Sequence, residues 1–481
     1  MPEQNVVQNG RAIIIGAGVT GLTVGWQLAS AGMEVLLLEA MDHLGGMAVT
    51  FKHGDFLLDM GPHKFFSVME DRMQTARELM GEEFLTVPKR SRIRLSGHFL
   101  NYPIGLLDVM KNLDPFIAVT GGASYLLQLM RNVFDRRPDV SYEDWLVRRF
   151  GPKLYKLVFA EYARKIWGEP RSLARELAET RVAVPGLLPL LWHMLFPRNR
   201  GPTIHAETFN YPRFGSGQFC DRLAELVVEN GGAIRYDASV TRLVMTEGRR
   251  RVVSIQLEAA ETIPVRPKDV VVTTIPVSFL SKIIEPAPPA AVTEAAMQLK
   301  SRPLILLYLI INRPSVSNDN WLFFPEAKYI FNRVFEQKNF SPFMCPQDKT
   351  VLCLEIVVSD QNLWRASDTD LYERAISGLE ETGLVNRSQV IEYFTRRLKW
   401  AYPVYDLNYR RNTETVLQYL DSTPNLFSVG RQGGFNYIGQ IDCLDIGILT
   451  AEHILHHWKA QDAAKHWAEA RRRFANYIVL D

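Results

Sequence analysis

The feature that most constrains this chain is the turn Gly16-Ala17-Gly18-Val19-Thr20-Gly21, set between two unlike hydrophobic patterns. Before it, residues 12–15 (AIII) form a short continuous apolar run of the kind a buried parallel strand shows. After it, Leu22, Gly25, Trp26 and Ala29 recur at helical spacing, and Gly32 supplies a stop. Residues 33–38 read as a second buried strand, ending at Glu39. Glycine at 16, 18 and 21 permits the tight turn, close approach to a pyrophosphate and close helix–strand contact, with the phosphate on the helix N-terminus. A carboxylate at Glu39 is placed to accept both ribose hydroxyls and to repel a 2′-phosphate. Strand, helix, strand and terminal acid in register predict a dinucleotide-binding unit and disfavour NADP.

Further along, a helical pattern is expected from about Met69 to Val87, followed by a hairpin around Ser96-Gly97 whose basic residues face solvent. From Leu106 to about Leu195 the chain reads as mostly helical, with breaks at glycine and proline. Strand character returns at AIRYDASVTRLV, RVVSIQL and DVVVTTIP. A second β-rich block covers LILLYLIIN, WLFFP, KYIFNRVF and TVLCLEIVV, aromatic and β-branched runs suited to a sheet. The last block places a short strand and a glycine turn before a closing helix around Ile446 to Trp458.

Composition removes several function classes. With 55 basic against 53 acidic residues the chain offers no electrostatic footprint for nucleic acid, and acidic substrates would have to be met by local arginines. The four cysteines are scattered without a C-x-x-C pair, so no zinc site, metal centre or disulfide framework is expected, and a cytoplasmic setting is. The first ten residues are polar, without the pattern of a secretory signal. Two stretches lack charged residues, Pro115 to Met130 and Val182 to Pro197; each is short for a spanning helix. They read as core helices or as an apolar surface for lipid or a greasy substrate, so peripheral membrane contact at the cytoplasmic face is kept as an expectation. Oligomeric state is left open.

GAGVTGL, LLLEA, HLGG at Gly45-Gly46, DMGPHKFF and, at the far end, NLFSVGRQGGFNY together resemble the FAD family of amine oxidases, protoporphyrinogen oxidases, phytoene desaturases and UDP-galactopyranose mutases. EDWLVRRFG, FAEYARKIWGEP, FNYPRFGSGQF and WAYPVYDLNY are similar to runs in the mutase-like and protoporphyrinogen-oxidase-like proteins of bacteria. The resemblance implies an α/β chain: a discontinuous Rossmann-like FAD-binding domain (residues 10–80, 205–300 and 395–470) with an inserted α+β substrate domain. That insert would hold a helical region (81–204) and a mixed sheet (301–394). FAD contacts are expected at Gly16, Ala17, Gly18, Thr20, Gly21, Glu39, Ala40, Gly45, Gly46, Met47, Gly61, Pro62, His63, Val240, Thr274, Gly430, Arg431 and Asp442. Within this set, the turn Gly61 to His63 would pass beside the isoalloxazine, Val240 would offer backbone groups to adenine, and Gly430-Arg431 would meet the flavin end. His63, Arg431 and Tyr437 are the candidate catalytic residues, with an ion-pair role for Arg431 and a structural role for His63 as the alternatives.

Departures from the pattern matter as well. Met47 stands where the family usually has Arg or Lys, and Arg181-Val-Ala-Val-Pro185 stands where mutases carry an R-L-P-V-R diphosphate clamp. Gly439 occupies the place of a mutase acid, with Asp442 three residues on. No lysine matches the flavin-bridging lysine of amine oxidases; Lys300 is the nearest guess, with a solvated loop as its alternative. Trp400, Tyr402 and Tyr405 wall the ring or fill core. The expected activity is removal of a hydride equivalent from a small organic molecule, lipophilic or glycosylated; the alternative is a redox-neutral mutase-type isomerase using reduced flavin as nucleophile.

Overall fold

The computed structural model describes residues 10–102, 115–135, 137–181, 207–246, 248 and 251–477. Strand β1 (Arg11–Ile15), helix α1 (Val19–Ser30) and strand β2 (Glu34–Leu38) form the opening unit, with every residue of β1 paired in parallel to β2. Three later segments complete a five-stranded parallel sheet in the order Leu426–Ser428, Val270–Thr273, β1, β2, Ala233–Arg235. The continuous apolar run of β1 follows from this placement: Ile13 and Ile15 point into one core, Ala12 and Ile14 into the other. Helix α1 rests against the closing helix Gln440–Glu452, so the two ends of the chain share one layer.

A seven-stranded mixed sheet forms the second layer, in the order Val390–Pro403, Ser301–Ile311, Thr350–Val357, Arg333–Glu336, Trp321–Phe323, Ser91–Leu95, His98–Asn101. Its members pair antiparallel except Trp321–Phe323 with Ser91–Leu95. Leu304, Leu306, Tyr308 and Ile310 face the main core, while Ile305, Leu307, Leu309 and Ile311 face the core under helix Asp368–Glu381. A smaller sheet joins Thr262–Pro264, Val252–Leu257, Val240–Met245 and Ile284–Glu285.

Helices Tyr142–Tyr155, Glu161–Ile166 and Arg175–Arg181 close one side. The first is started by a capping box: Ser141 Oγ accepts from Asp144 N at 3.1 Å, and the Asp144 carboxylate accepts from Ser141 N at 3.0 Å. Lys165 fastens this layer to the large sheet, its ammonium donating to the carbonyls of Phe324, Glu326 and Phe331.

Several expectations change. The segment expected to be helical from Met69 to Val87 is a helix only over Glu70–Met80, and Phe84–Pro88 is a strand paired to Thr208–Pro212. Gly81, at φ +52°, ends the helix and lets the chain turn away. The hairpin at Ser96-Gly97 is present, but it extends the large sheet instead of belonging to a helical insert. Nor is its basic face wholly exposed: Arg94 is buried against Glu326, with its guanidinium over the Tyr329 ring. The first uncharged stretch begins helix Pro115–Phe134, which buries Tyr125 but leaves Phe116, Val119, Leu126, Leu127, Met130, Val133 and Phe134 exposed. The second, at 182–197, lies outside the described residues, and among the described residues no helix is long and apolar enough to cross a membrane.

Candidate active site

A cavity of about 590 Å³ lies at the carboxyl ends of β1, β2 and Val270–Thr273, where open α/β sheets place their ligands, and is roofed by the large sheet and the helical side. At the sheet end it is lined by Gly16, Gly18, Thr20, Glu39, Ala40, Gly45, Gly46, Val240 and Thr274. Gly16 has φ +100°, and a Cβ there would lie 2.4 Å from Thr274 Oγ1, so only glycine allows the turn to pass. The Glu39 carboxylate is fixed beside the turn, accepting from Ala17 N at 2.8 Å and Met41 N at 3.0 Å. Three predicted contacts sit behind this lining. Ala17 turns its N–H to Glu39, Gly21 packs on the Gly16 carbonyl, and Gly430 packs on Thr20. Close approach of backbones, more than ligand contact, is what their small size serves.

Midway, Met47, Gly61, Pro62, His63 and Gln432 line the wall. His63 Nε2 lies 2.9 Å from the Met47 carbonyl and donates to it. Burial, helped by the nearby Arg431 charge, pushes the imidazole down to about 4, so it is neutral at pH 7. Met47 meets Gln432, whose amide donates to the Trp400 carbonyl at 2.6 Å.

Among the described residues the hydrogen-bond partners of Arg431 are carbonyls and no carboxylate. One of its terminal nitrogens donates to the Ile438 carbonyl and the other to Ala401 O at 3.1 Å, which ties the glycine turn to strand Val390–Pro403. Among the described residues its buried Nε has no hydrogen-bond partner, and burial lowers its pKa. Asp442, expected at the cofactor, borders the cavity but caps the closing helix, accepting from Gly439 N at 2.8 Å; burial raises it to about 6. Tyr437 lies between two guanidinium groups, with Arg181 Cζ 3.5 Å and Arg431 Cζ 4.8 Å from its ring centroid.

At the far end lie Arg333 and Glu355, which the sequence reading did not single out. Arg333 donates to both oxygens of the buried Glu355 at 2.9 and 2.8 Å, and Tyr402 Oη donates to Glu355 at 2.9 Å. Lys64, Arg181 and Lys399 reach the cavity, whereas Lys300 is exposed and outside it. Tyr162, Ile166, Trp167, Phe159 and Phe323 supply an apolar wall. Trp400 and Tyr402 join this end, but Tyr405 falls beyond the strand and accepts from Tyr437 N at 2.8 Å. Glu355 did leave a sequence signal, a charge inside an otherwise apolar strand run.

The model of the family described as flavin containing amine oxidoreductase matches residues 19–455. The chain belongs to that family. FAD is therefore its cofactor, as the resemblance implied. The glycine turn, the fixed Glu39 and the unpartnered Arg431 Nε suit the two ends of that cofactor. Among individual relatives, the coproporphyrinogen III oxidase of Propionibacterium freudenreichii subsp. freudenreichii is 29% identical over 112 residues, 22% of this chain and 21% of that protein. The lycopene-forming phytoene desaturase of Pseudescherichia vulneris is 25% identical over 352 residues, 68% of each chain. The chain thus spans only about a fifth of the first of these relatives. The crystal structure of reduced UDP-galactopyranose mutase superposes with a TM-score of 0.77 at 20% identity, covering 98% of this chain and 100% of that one, which shows a shared fold.

In this flavin amine oxidoreductase the family's usual basic residue after the glycine pair is replaced by Met47, whose carbonyl instead orients His63. Arg181, which opens the departure from the mutase pattern, nonetheless faces the cavity.

Proposed function

We propose that this chain removes a hydride equivalent from an organic substrate that is lipophilic along most of its length and anionic at one end. The observation that carries the reading is the far end of the cavity, where the guanidinium groups of Arg181 and Arg431 approach the Tyr437 ring beside the apolar wall of Phe159, Tyr162, Ile166 and Trp167. Bound FAD supplies the electron sink. The residues of this chain bind the anionic group, line the apolar body of the substrate and exclude water. Neutral His63, its Nε2–H spent on Met47, serves as a fixed dipole in the wall and not as a proton carrier. An anaerobic screen of lipophilic carboxylates and phosphates, following loss of the visible flavin band, tests this; no bleaching by any of them counts against it.

One observation favours a second reading, redox-neutral isomerisation of a sugar nucleotide. Arg181 on the Tyr437 ring offers a cation to a diphosphate despite the altered run that follows it. Turnover only after prior chemical reduction of the protein distinguishes this reading from the first.

Peripheral membrane contact belongs to the same proposal and is supported by the exposed apolar side chains of helix Pro115–Phe134, interspersed with exposed Arg131. Cosedimentation with anionic vesicles should fall when Phe116, Leu127 and Met130 are replaced together by Ser; unchanged sedimentation would remove this part.

A further inference from the structure

Strand Thr350–Val357 is buried along its whole length and carries a single charged residue, Glu355, with Arg333 directly across from it on strand Arg333–Glu336. Both residues line the cavity. The pair meets fork to fork, Arg333 Nε on Glu355 Oε2 and Nη2 on Oε1, and Tyr402 Oη donates to Oε2 and accepts from Arg333 Nη2 at 3.3 Å. Burial, with the Glu355 charge, keeps the Tyr402 hydroxyl protonated, so the cluster holds one charge of each sign.

Ion pairs taken out of water are weak support for a fold, because apolar residues of similar volume often serve as well or better once desolvation is counted. A pair kept in a cavity wall therefore points to what the cavity holds. Its place is specific: a Cβ on Gly61 would lie 3.5 Å from Glu355 Oε1, and the Arg333 charge adds to burial and to the Arg431 charge in holding His63 neutral. With the nucleotide end of FAD at the glycine turn and Glu39, this wall is left to the flavin end.

Resting on that placement of FAD, we infer that Glu355 sets the reduction potential of the flavin by masking the charge of Arg333, and that Tyr402 positions the pair. Reduction adds negative charge to the ring. An unmasked guanidinium in a water-poor wall favours that charge, and an unmasked carboxylate opposes it. Masked, the pair holds the potential between the two limits. Arg431 differs in having carbonyls and no carboxylate as its hydrogen-bond partners among the described residues, so its charge is unmasked.

The test is a redox titration of the FAD-loaded full chain against a reference dye at one pH. Glu355→Gln keeps the shape and an acceptor oxygen, and should favour the reduced flavin about tenfold, a rise of about 30 mV in the two-electron potential. Arg333→Gln should lower the potential by a similar factor, and the double variant should return close to the unaltered protein. Tyr402→Phe loosens the same cluster without changing its charge and should leave the potential in place, whereas a purely structural role would move it with the others. Shifts of the same sign in the two single variants, or none in either, overturn the inference. Arg431→Ala, titrated alongside, separates the causes: a potential that answers to Arg431 but to neither member of the pair rejects the masking, and one that answers to none of the three rejects the placement of the flavin end as well. If one single variant does not retain FAD, the sign of the other and the return in the double variant decide.

Discussion

The guanidinium carbon of Arg181 lies 3.5 Å from the centroid of the Tyr437 ring, and Arg431 approaches the same ring at 4.8 Å. One residue comes from the end of helix Arg175–Arg181 and the other two from the C-terminal glycine turn, so the contact joins the helical side to the flavin-binding layer. A desolvated cation–π contact is worth about 2 kcal/mol, or about 30-fold in an equilibrium. Arg181→Ala should therefore raise the substrate concentration for half-maximal flavin bleaching about 10- to 30-fold without loss of FAD. Tyr437→Phe keeps the ring and should keep binding. Half-saturation that does not move in Arg181→Ala would show that the anionic group is held elsewhere.

Arg431 presents an unpartnered buried Nε and a positive charge that burial destabilises. Negative charge accumulating on the flavin end during reduction would relieve both. Arg431→Ala should lower the two-electron reduction potential by roughly 30 mV or more, equivalent to about 1.4 kcal/mol. Arg431→Lys should recover part of it, because an ammonium lacks the planar fork that reaches both Ile438 and Ala401 carbonyls. A redox titration that leaves all three proteins coincident would assign Arg431 to holding the turn alone.

Glu39 accepts two backbone N–H groups and borders the nucleotide end. Its replacement by Ala removes a charged acceptor worth roughly 1.5–3 kcal/mol, so FAD affinity should fall about 10- to 100-fold. Fluorescence of released FAD on dilution measures this. Retention equal to the unaltered protein would mean that the ribose is held by other groups.

His63 carries a sign that can be checked by pH. Its folded value of about 4 lies below the ordinary 6.5, so between these limits the unfolded chain binds the extra proton and stability falls as pH falls. The full effect is roughly 3 kcal/mol, present above pH 6.5 and lost by pH 4. The buried Asp442, raised to about 6, acts oppositely between pH 3.8 and 6, where the folded state holds the extra proton and stability rises as pH falls. His63→Asn should flatten the acid loss between pH 6.5 and 4 in urea-unfolding experiments. An unchanged slope would show that His63 titrates alike in both states.

The local patterns of the chain were enough to place the glycine turn, β1, α1, β2 and Glu39, because strand and helix periodicity and glycine's conformational range act within a few residues. Gly45, Gly46, Gly61 and His63, which line the cavity, were indicated by the family resemblance of short motifs and not by periodicity. Position alone did not reveal what Arg431 and Asp442 bond to: a carbonyl thirty residues away for one, and the first turn of the closing helix for the other. Sequence likewise showed the charges of Arg333 and Glu355 but not their pairing, since strands Arg333–Glu336 and Thr350–Val357 become neighbours only through the sheet. The stacking of Arg181 on Tyr437 was decided by tertiary structure in the same way. Burial and charge energies depend on what lies across space, and no period along the chain encodes which distant segment will lie there.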